Sequence, residues 1–136
     1  MSLSRASAGG GSVEAFLRSV SDGRRRQDCY FLVKLMQNVV GESGRVCGDS
    51  VLGFGSRRGQ AAGGSGQADF RLGFAPRKNE ITLYLGGSLE GLETIVARLG
   101  KCRPGKGCLH LKDLDGINPT VLQQLLVEAN ARARAG

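Results

Sequence analysis

The run from Leu99 to Leu126, LGKCRPGKGCLHLKDLDGINPTVLQQLL, constrains the fold more than any other part of the chain. It orders a basic loop punctuated by glycine, a short strand at Cys108–Leu111, a turn and a closing helix. Gly100 to Gly107 reads GKCRPGKG and satisfies the G-x-x-x-x-G-K core of a phosphate-binding loop, but Gly107 stands where Ser or Thr would hold magnesium. The context is also reversed. A P-loop follows a strand and opens a helix whose N-terminal N–H groups meet the phosphate. Here a helical stretch precedes the loop and a strand follows it. The run therefore reads as a helix–loop–strand–helix closure. Within it Lys101, Arg103 and Lys106 remain candidates to hold an anion together with glycine amides.

The rest of the chain supplies the layers that this closure completes. Ser12 reads as an N-cap for a first helix with Val13, Phe16, Leu17 and Val20 as its apolar stripe. Ser21-Asp22-Gly23 breaks it, and Asp22 or Gly23 opens a second helix. There Cys29, Leu32, Val33, Met36 and Val40 recur at helical spacing, and Gly41 ends the run. Arg24, Arg25 and Arg26 sit at the positive end of that helix dipole, a placement that suits a solvated face or a partner surface. Short extended segments follow at Arg45–Cys47, Val51–Phe54, Asp69–Phe74 and Ile81–Leu85, each bounded by Gly, Pro, Asn or Asp. Between them, Arg57 to Ala68 reads as an extended hairpin loop or a disordered excursion, and Pro76-Arg77-Lys78-Asn79 as a tight turn. A third helix is expected over Leu89–Leu99. Asn118-Pro119 caps a final helix that runs out near Arg132–Arg134. Residues 1–11 read as a disordered tail and 12–134 as one domain. Helices at both ends of an antiparallel meander define an α+β layer fold.

Composition narrows the function classes. Apolar residues make up 40% of the 136, with five Phe and no Trp, so the core is expected to be Leu, Val and Ile. The net charge of +7 is spread along the chain rather than gathered on one element. That favours a basic binding protein over a nucleic-acid module and leaves weak, non-specific nucleic-acid binding as an alternative. No stretch approaches the roughly 20 apolar residues of a membrane span. Cys29, Cys47, Cys102 and Cys108 follow no secretory signal, so free thiols in a reducing, cytoplasmic setting are expected.

Several side chains carry candidate chemistry. Cys102, Cys108 and His110 form C-x5-C-x-H, with Cys108 and His110 on one strand face, an imaginable soft-metal set without a fourth ligand. His110 is the only histidine. A nucleophilic set would have to use it, with Cys108 or a distant Ser or Asp; the simpler reading is a strand histidine facing solvent or a polar neighbour. No G-x-S-x-G elbow is present. Gly53 and Gly55 inside a strand mark a bend or a close backbone approach, to packing or to a ligand. Asp113 and Asp115 suit caps of the turn before the final helix.

Three segments taken together resemble one family: GDSVLGFG at 48–55, GFAPRKNEITLYL at 73–85 and LGKCRPGKGCLHLKDLDGINPTVLQQL at 99–125. In order and spacing they are similar to the YdhG-like domain, a domain of unknown function near the frataxin-like iron chaperones. The leading segment at 13–36 is similar as well. The resemblance implies a curved antiparallel sheet with N-terminal helices, a third helix and a C-terminal helix packed on it. Its pattern falls on Gly53, Phe54 and Gly55, on Pro76, Arg77 and Lys78, and on Gly105, Lys106 and Cys108. The chain departs from that pattern at Cys47 and His110, where the family often has an aromatic residue. The expectation is a non-enzymatic binding protein without a cofactor. It would take a small anion or a protein partner through Arg77, Lys78, Lys101, Arg103 and Lys106, with Gly53, Gly55, Gly105 and Gly107 as pocket-lining backbone. The alternative is an iron-binding chaperone. Iron, a hard cation, would want a ridge of carboxylates, and the first two helices offer only Glu14, Asp22 and Asp28 beside Arg24–Arg26.

Overall fold

The computed structural model describes residues 13–47, 51–55, 70–86, 89–105 and 107–135. The expected tail, Ser12 and the 57–68 connection lie outside the described residues. The elements are α1 (Val13–Arg18), α2 (Gly23–Val40), β1 (Gly44–Cys47), β2 (Val51–Phe54), β3 (Leu72–Pro76), β4 (Ile81–Tyr84), α3 (Glu93–Leu99), β5 (Arg103–Pro104), β6 (Cys108–Leu111) and α4 (Pro119–Ala135). The architecture is α+β: a curved, open antiparallel sheet of order β1-β2-β3-β4-β6-β5 with helices against it.

Local chemistry places the helices. Asp22 opens α2: its side chain accepts from the N–H groups of Arg24 and Arg25, and Gly41 closes the helix at φ 84. Asn118 opens α4 in the same way, accepting from Thr120 N–H at 2.9 Å and Val121 N–H at 3.2 Å. The third helix begins at Glu93, four residues later than its apolar spacing predicts. Gly91 takes a left-handed φ of 90, which ends the preceding turn and delays the helix.

Strand alternation divides the sheet into two faces. Leu52, Phe54, Leu72, Phe74, Ile81, Leu83, Leu109 and Leu111 point to one core with Leu17 of α1, Leu32 and Met36 of α2, Leu99 of α3 and Leu125 of α4. This is the helix-covered face. The opposite, outer face carries a smaller cluster of Val51, Phe70, Ala75 and Tyr84.

β1 and β4 each differ from expectation by one terminal residue; two strands differ by more. β3 covers Leu72–Pro76 rather than Asp69–Phe74, because Phe70 leaves the ladder and lays its ring on the outer face over Gly73. The basic loop also contains a strand of its own, β5, which pairs Arg103 with His110 and Pro104 with Leu109. Proline is tolerated there because β5 is the sheet edge, where a missing N–H breaks no ladder.

Candidate functional site

The antiparallel register brings the β3–β4 turn, β6 and β5 to one end of the sheet. Ile81 opposes Leu111, Thr82 opposes His110, and Arg103 opposes His110 from the other side. Arg103, Thr82 and His110 therefore share the outer face. Glu80, two residues before Thr82, joins them. Its carboxylate meets Arg103 Nη2 at 3.4 Å through one oxygen and His110 Nδ1 at 3.3 Å through the other. Thr82 Oγ1 lies 3.1 Å from the same Nδ1, and Cys108 Sγ lies 3.6 Å from His110 Nε2.

The same end of the sheet abuts the corner between α1 and α2. A cavity of about 270 Å³ opens there, lined by Phe16, Ser19, Val20, Ser21, Asp22, Arg25, Pro76, Arg77 and Lys78. Arg25 turns back on Asp22 at 3.3 Å, its side chain is 17% exposed, and its Nε has no hydrogen-bond partner. The hydrogen bond from the Arg25 amide, with that from Arg24 and the adjacent cations, holds the Asp22 carboxyl below its usual range against the opposing effect of desolvation. Asp22 is thus committed to its capping role. Arg77 lines the cavity but spends its Nη2 on the Tyr84 hydroxyl at 2.9 Å. Arg24 leaves the corner and pairs with Asp115 at 2.7 Å.

The other expected cations separate. Lys101 donates its backbone N–H to Gly116 O at 3.3 Å. It borders a different cavity of about 490 Å³ with Lys112, Asp113 and Asp115, where carboxylates balance the lysines. Gly107 sits at the far end of β4, where Leu85 N–H donates to Gly107 O at 3.1 Å, while Gly105 donates its N–H to Cys108 O at 2.8 Å and lies against His110. Five residues separate Leu85 from Glu80, about 17 Å of strand. Lys106 lies outside the described residues. Arg77, Lys78 and Arg103 thus gather around one turn, while Lys101 does not join them.

The glycines serve packing. Gly53 pairs between Arg45 and Gly73 in the ladder. A Cβ on Gly55 would stand 2.5 Å from Arg71 Nε, and one on Gly105 would stand 2.9 Å from Cys108 Sγ. The Cys102, Cys108 and His110 set is not assembled: Cys102 packs against the helix-side core, and the other two face outward. Among the described residues no three His, Cys, Asp or Glu side chains are grouped to hold a metal ion. Cys29, Cys102 and Cys108 are free thiols. Burial pushes the Cys102 and Cys108 thiols up; at Cys108 the Arg103 charge opposes that rise.

Two residues of these sites were not singled out in the sequence. Arg25 stood within a basic triplet without distinction from its neighbours; the clue was its position three residues after a capping Asp. Glu80 carried no local signal, since only the strand register brings it to His110. Comparison of the chain with protein families, curated proteins and solved structures returned no match. Among the described residues no helix is long and apolar enough to cross a membrane.

Proposed function

We propose that this chain is a non-enzymatic binding protein of the YdhG-like kind that takes a small oxyanion at the α1–α2 corner. The observation that carries this reading is Arg25, whose Nε is shielded from water without an acceptor beside a cavity that Lys78, Ser19 and Ser21 also line. An unpaired buried donor costs about 1–3 kcal/mol. A phosphate or carboxylate oxygen would supply the missing acceptor. Three cations border the cavity against one carboxylate, and that carboxylate is occupied with the helix cap. The resemblance to the YdhG-like domain supports a binding role and supplies Arg77 and Lys78 as pattern positions.

Calorimetric titration with inorganic phosphate at low salt tests the reading. One site is expected. Replacing both Arg25 and Lys78 by Gln should weaken it by more than about tenfold, since each charge-assisted hydrogen bond is worth about 1.5–3 kcal/mol. Lys101→Gln should leave it unchanged. No phosphate binding, or equal effects of both changes, overturns the corner site. Ferrous iron binding in place of phosphate binding would move the reading to the iron chaperone.

A further inference from the structure

We propose that Cys108 is a thiol-exchange site for low-molecular-weight disulfides, with His110 as its base and Glu80 holding the imidazole. This site is separate from the corner cavity and does not rest on it.

Strand alternation sets the geometry. Cys108 and His110 are two residues apart on β6, so both side chains leave the outer face together, and His110 Nε2 comes to 3.6 Å from the sulfur. The other ring nitrogen is held from the neighbouring strand by Glu80 at 3.3 Å and Thr82 at 3.1 Å. A proton on Nδ1 satisfies the carboxylate and leaves the Nε2 lone pair facing the thiol. Nucleophile, base and orienting carboxylate in that order are the parts from which an activated thiol is built. His110 and Glu80 are both part-buried, so each is positioned by packing as well as by charge.

The surroundings favour this sulfur over its neighbours. Arg103 stands opposite His110 with its side chain 68% exposed. Its charge favours a thiolate, against burial and the Glu80 charge, which keep the resting thiol protonated until the imidazole takes the proton, and its exposed guanidinium can meet a carboxylate on an incoming disulfide. Cys108 is half-buried, and the missing side chain of Gly105 leaves room for its sulfur and the imidazole, since a Cβ there would press on both Cys108 Sγ and His110 Nε2. Cys29 is fully buried, and Cys102 faces the helix-side core. The charged and titratable groups facing the pair are Glu80, Arg103 and, directly opposite Cys108, Tyr84 with Arg77 on its hydroxyl.

The reaction balances without a further reagent. The Cys108 proton passes to His110 Nε2. The thiolate attacks one sulfur of the disulfide, forming the Cys108 mixed disulfide and breaking the original S–S bond. The displaced half leaves as a thiolate, takes the proton back from the imidazolium and departs as a free thiol. Cys108 is oxidised as that half is reduced.

The test is to incubate the folded protein with glutathione disulfide at pH 7, quench with acid, and read each cysteine by peptide mass spectrometry. Cys108 is expected to form the mixed disulfide at least about tenfold faster than Cys102, within the range general-base assistance supplies. His110→Gln and Glu80→Gln should each slow Cys108 and leave Cys102 unchanged. His110→Gln should also change the shape of the pH profile of the Cys108 rate, while that of Cys102 stays the same. Partial unfolding would expose both cysteines and speed both, so it cannot imitate this result. Equal rates at Cys108 and Cys102, or a wild-type Cys108 rate in His110→Gln, overturns the proposal.

Discussion

The Phe70 ring lies over Gly73, so close that a Cβ on residue 73 would stand 2.5 Å from Phe70 Cε1 and 2.7 Å from Leu52 O. The ring then meets Tyr84 edge-on, with centroids 6.0 Å apart and planes at 76°. This contact closes the outer face of the sheet, because it lets an aromatic ring lie flat on the ladder between β2 and β4.

Gly73→Ala should therefore cost about 1–3 kcal/mol, the usual range for overpacking. Adding Phe70→Ala should recover only part of the loss, since the Leu52 carbonyl still opposes the new methyl group. Urea unfolding of the single and double variants measures both. A neutral Gly73→Ala would show that the ring can move away at no cost.

Arg71 presents a second asymmetry. Its side chain is 10% exposed and reaches the half-exposed Glu42 at 3.0 Å, while Gly55 leaves room for its Nε. Removing one partner of a buried pair strands the other, whereas an apolar replacement of the buried member removes the desolvation cost as well. Glu42→Gln is expected to cost about 1 kcal/mol, reduced from the fully buried case by solvent around the carboxylate. Arg71→Met should be neutral or stabilising. Denaturant midpoints decide, and an Arg71→Met loss larger than that of Glu42→Gln would refute the account.

The legible parts of the fold are those fixed by local chemistry. Asp22 and Gly41 bracket the 18 residues of α2, and Asn118-Pro119 starts α4; both can be read from neighbours in sequence. β5 was hidden because a proline in a run punctuated by Gly100, Gly105 and Gly107 looks like loop, and only the pairing with β6 makes Arg103 and Pro104 a strand. Phe70 was read as strand because an apolar residue beside Leu72 and Phe74 fits the period; tertiary contact with Tyr84 took it off the ladder. At the sites, Arg77, Lys78 and Arg103 were visible as cations. Arg77 and Lys78 share a turn with Glu80 that the sequence shows, but the arrival of Arg103 at Glu80 depends on register across β4, β6 and β5, which no local pattern carries.

Asp28 is held at the junction of α2 and the loop before α4. Burial raises its pKa, the Leu114 N–H it accepts at 3.2 Å lowers it, and the nearby Asp113 charge raises it again. A carboxyl whose folded pKa is raised favours the native state when protonated, and that advantage is lost as pH rises through the folded value. At pH 7 the charge is therefore a burden. Asp28→Asn keeps an acceptor for Leu114 and should stabilise the protein by about 0.5 kcal/mol at pH 7, a value discounted for solvent screening. The gain should vanish near pH 3. Thermal unfolding at the two pH values tests this; a loss at pH 7 would show that attraction to Arg24 outweighs burial.

Cys29, beside Asp28 on α2, adds a second loss of stability with rising pH, at the alkaline end. It is fully buried, and burial, reinforced by the Asp28 charge, pushes its thiol up to about 12. An unfolded chain releases the same proton near pH 8.5. Below that value both states hold the proton and packing of the neutral thiol contributes in full. Between roughly pH 9 and 12 only the unfolded state ionises, so stability falls with a slope approaching about 1.4 kcal/mol per pH unit. Cys29→Ala should lose a constant packing increment at neutral pH and lack this part of the alkaline slope. Other groups titrate equally in both proteins, so the difference between their urea unfolding curves at pH 7 and pH 10.5 isolates the thiol. The two proteins should converge in stability as pH rises; a gap that stays constant over that interval would mean that the buried thiol ionises as readily folded as unfolded.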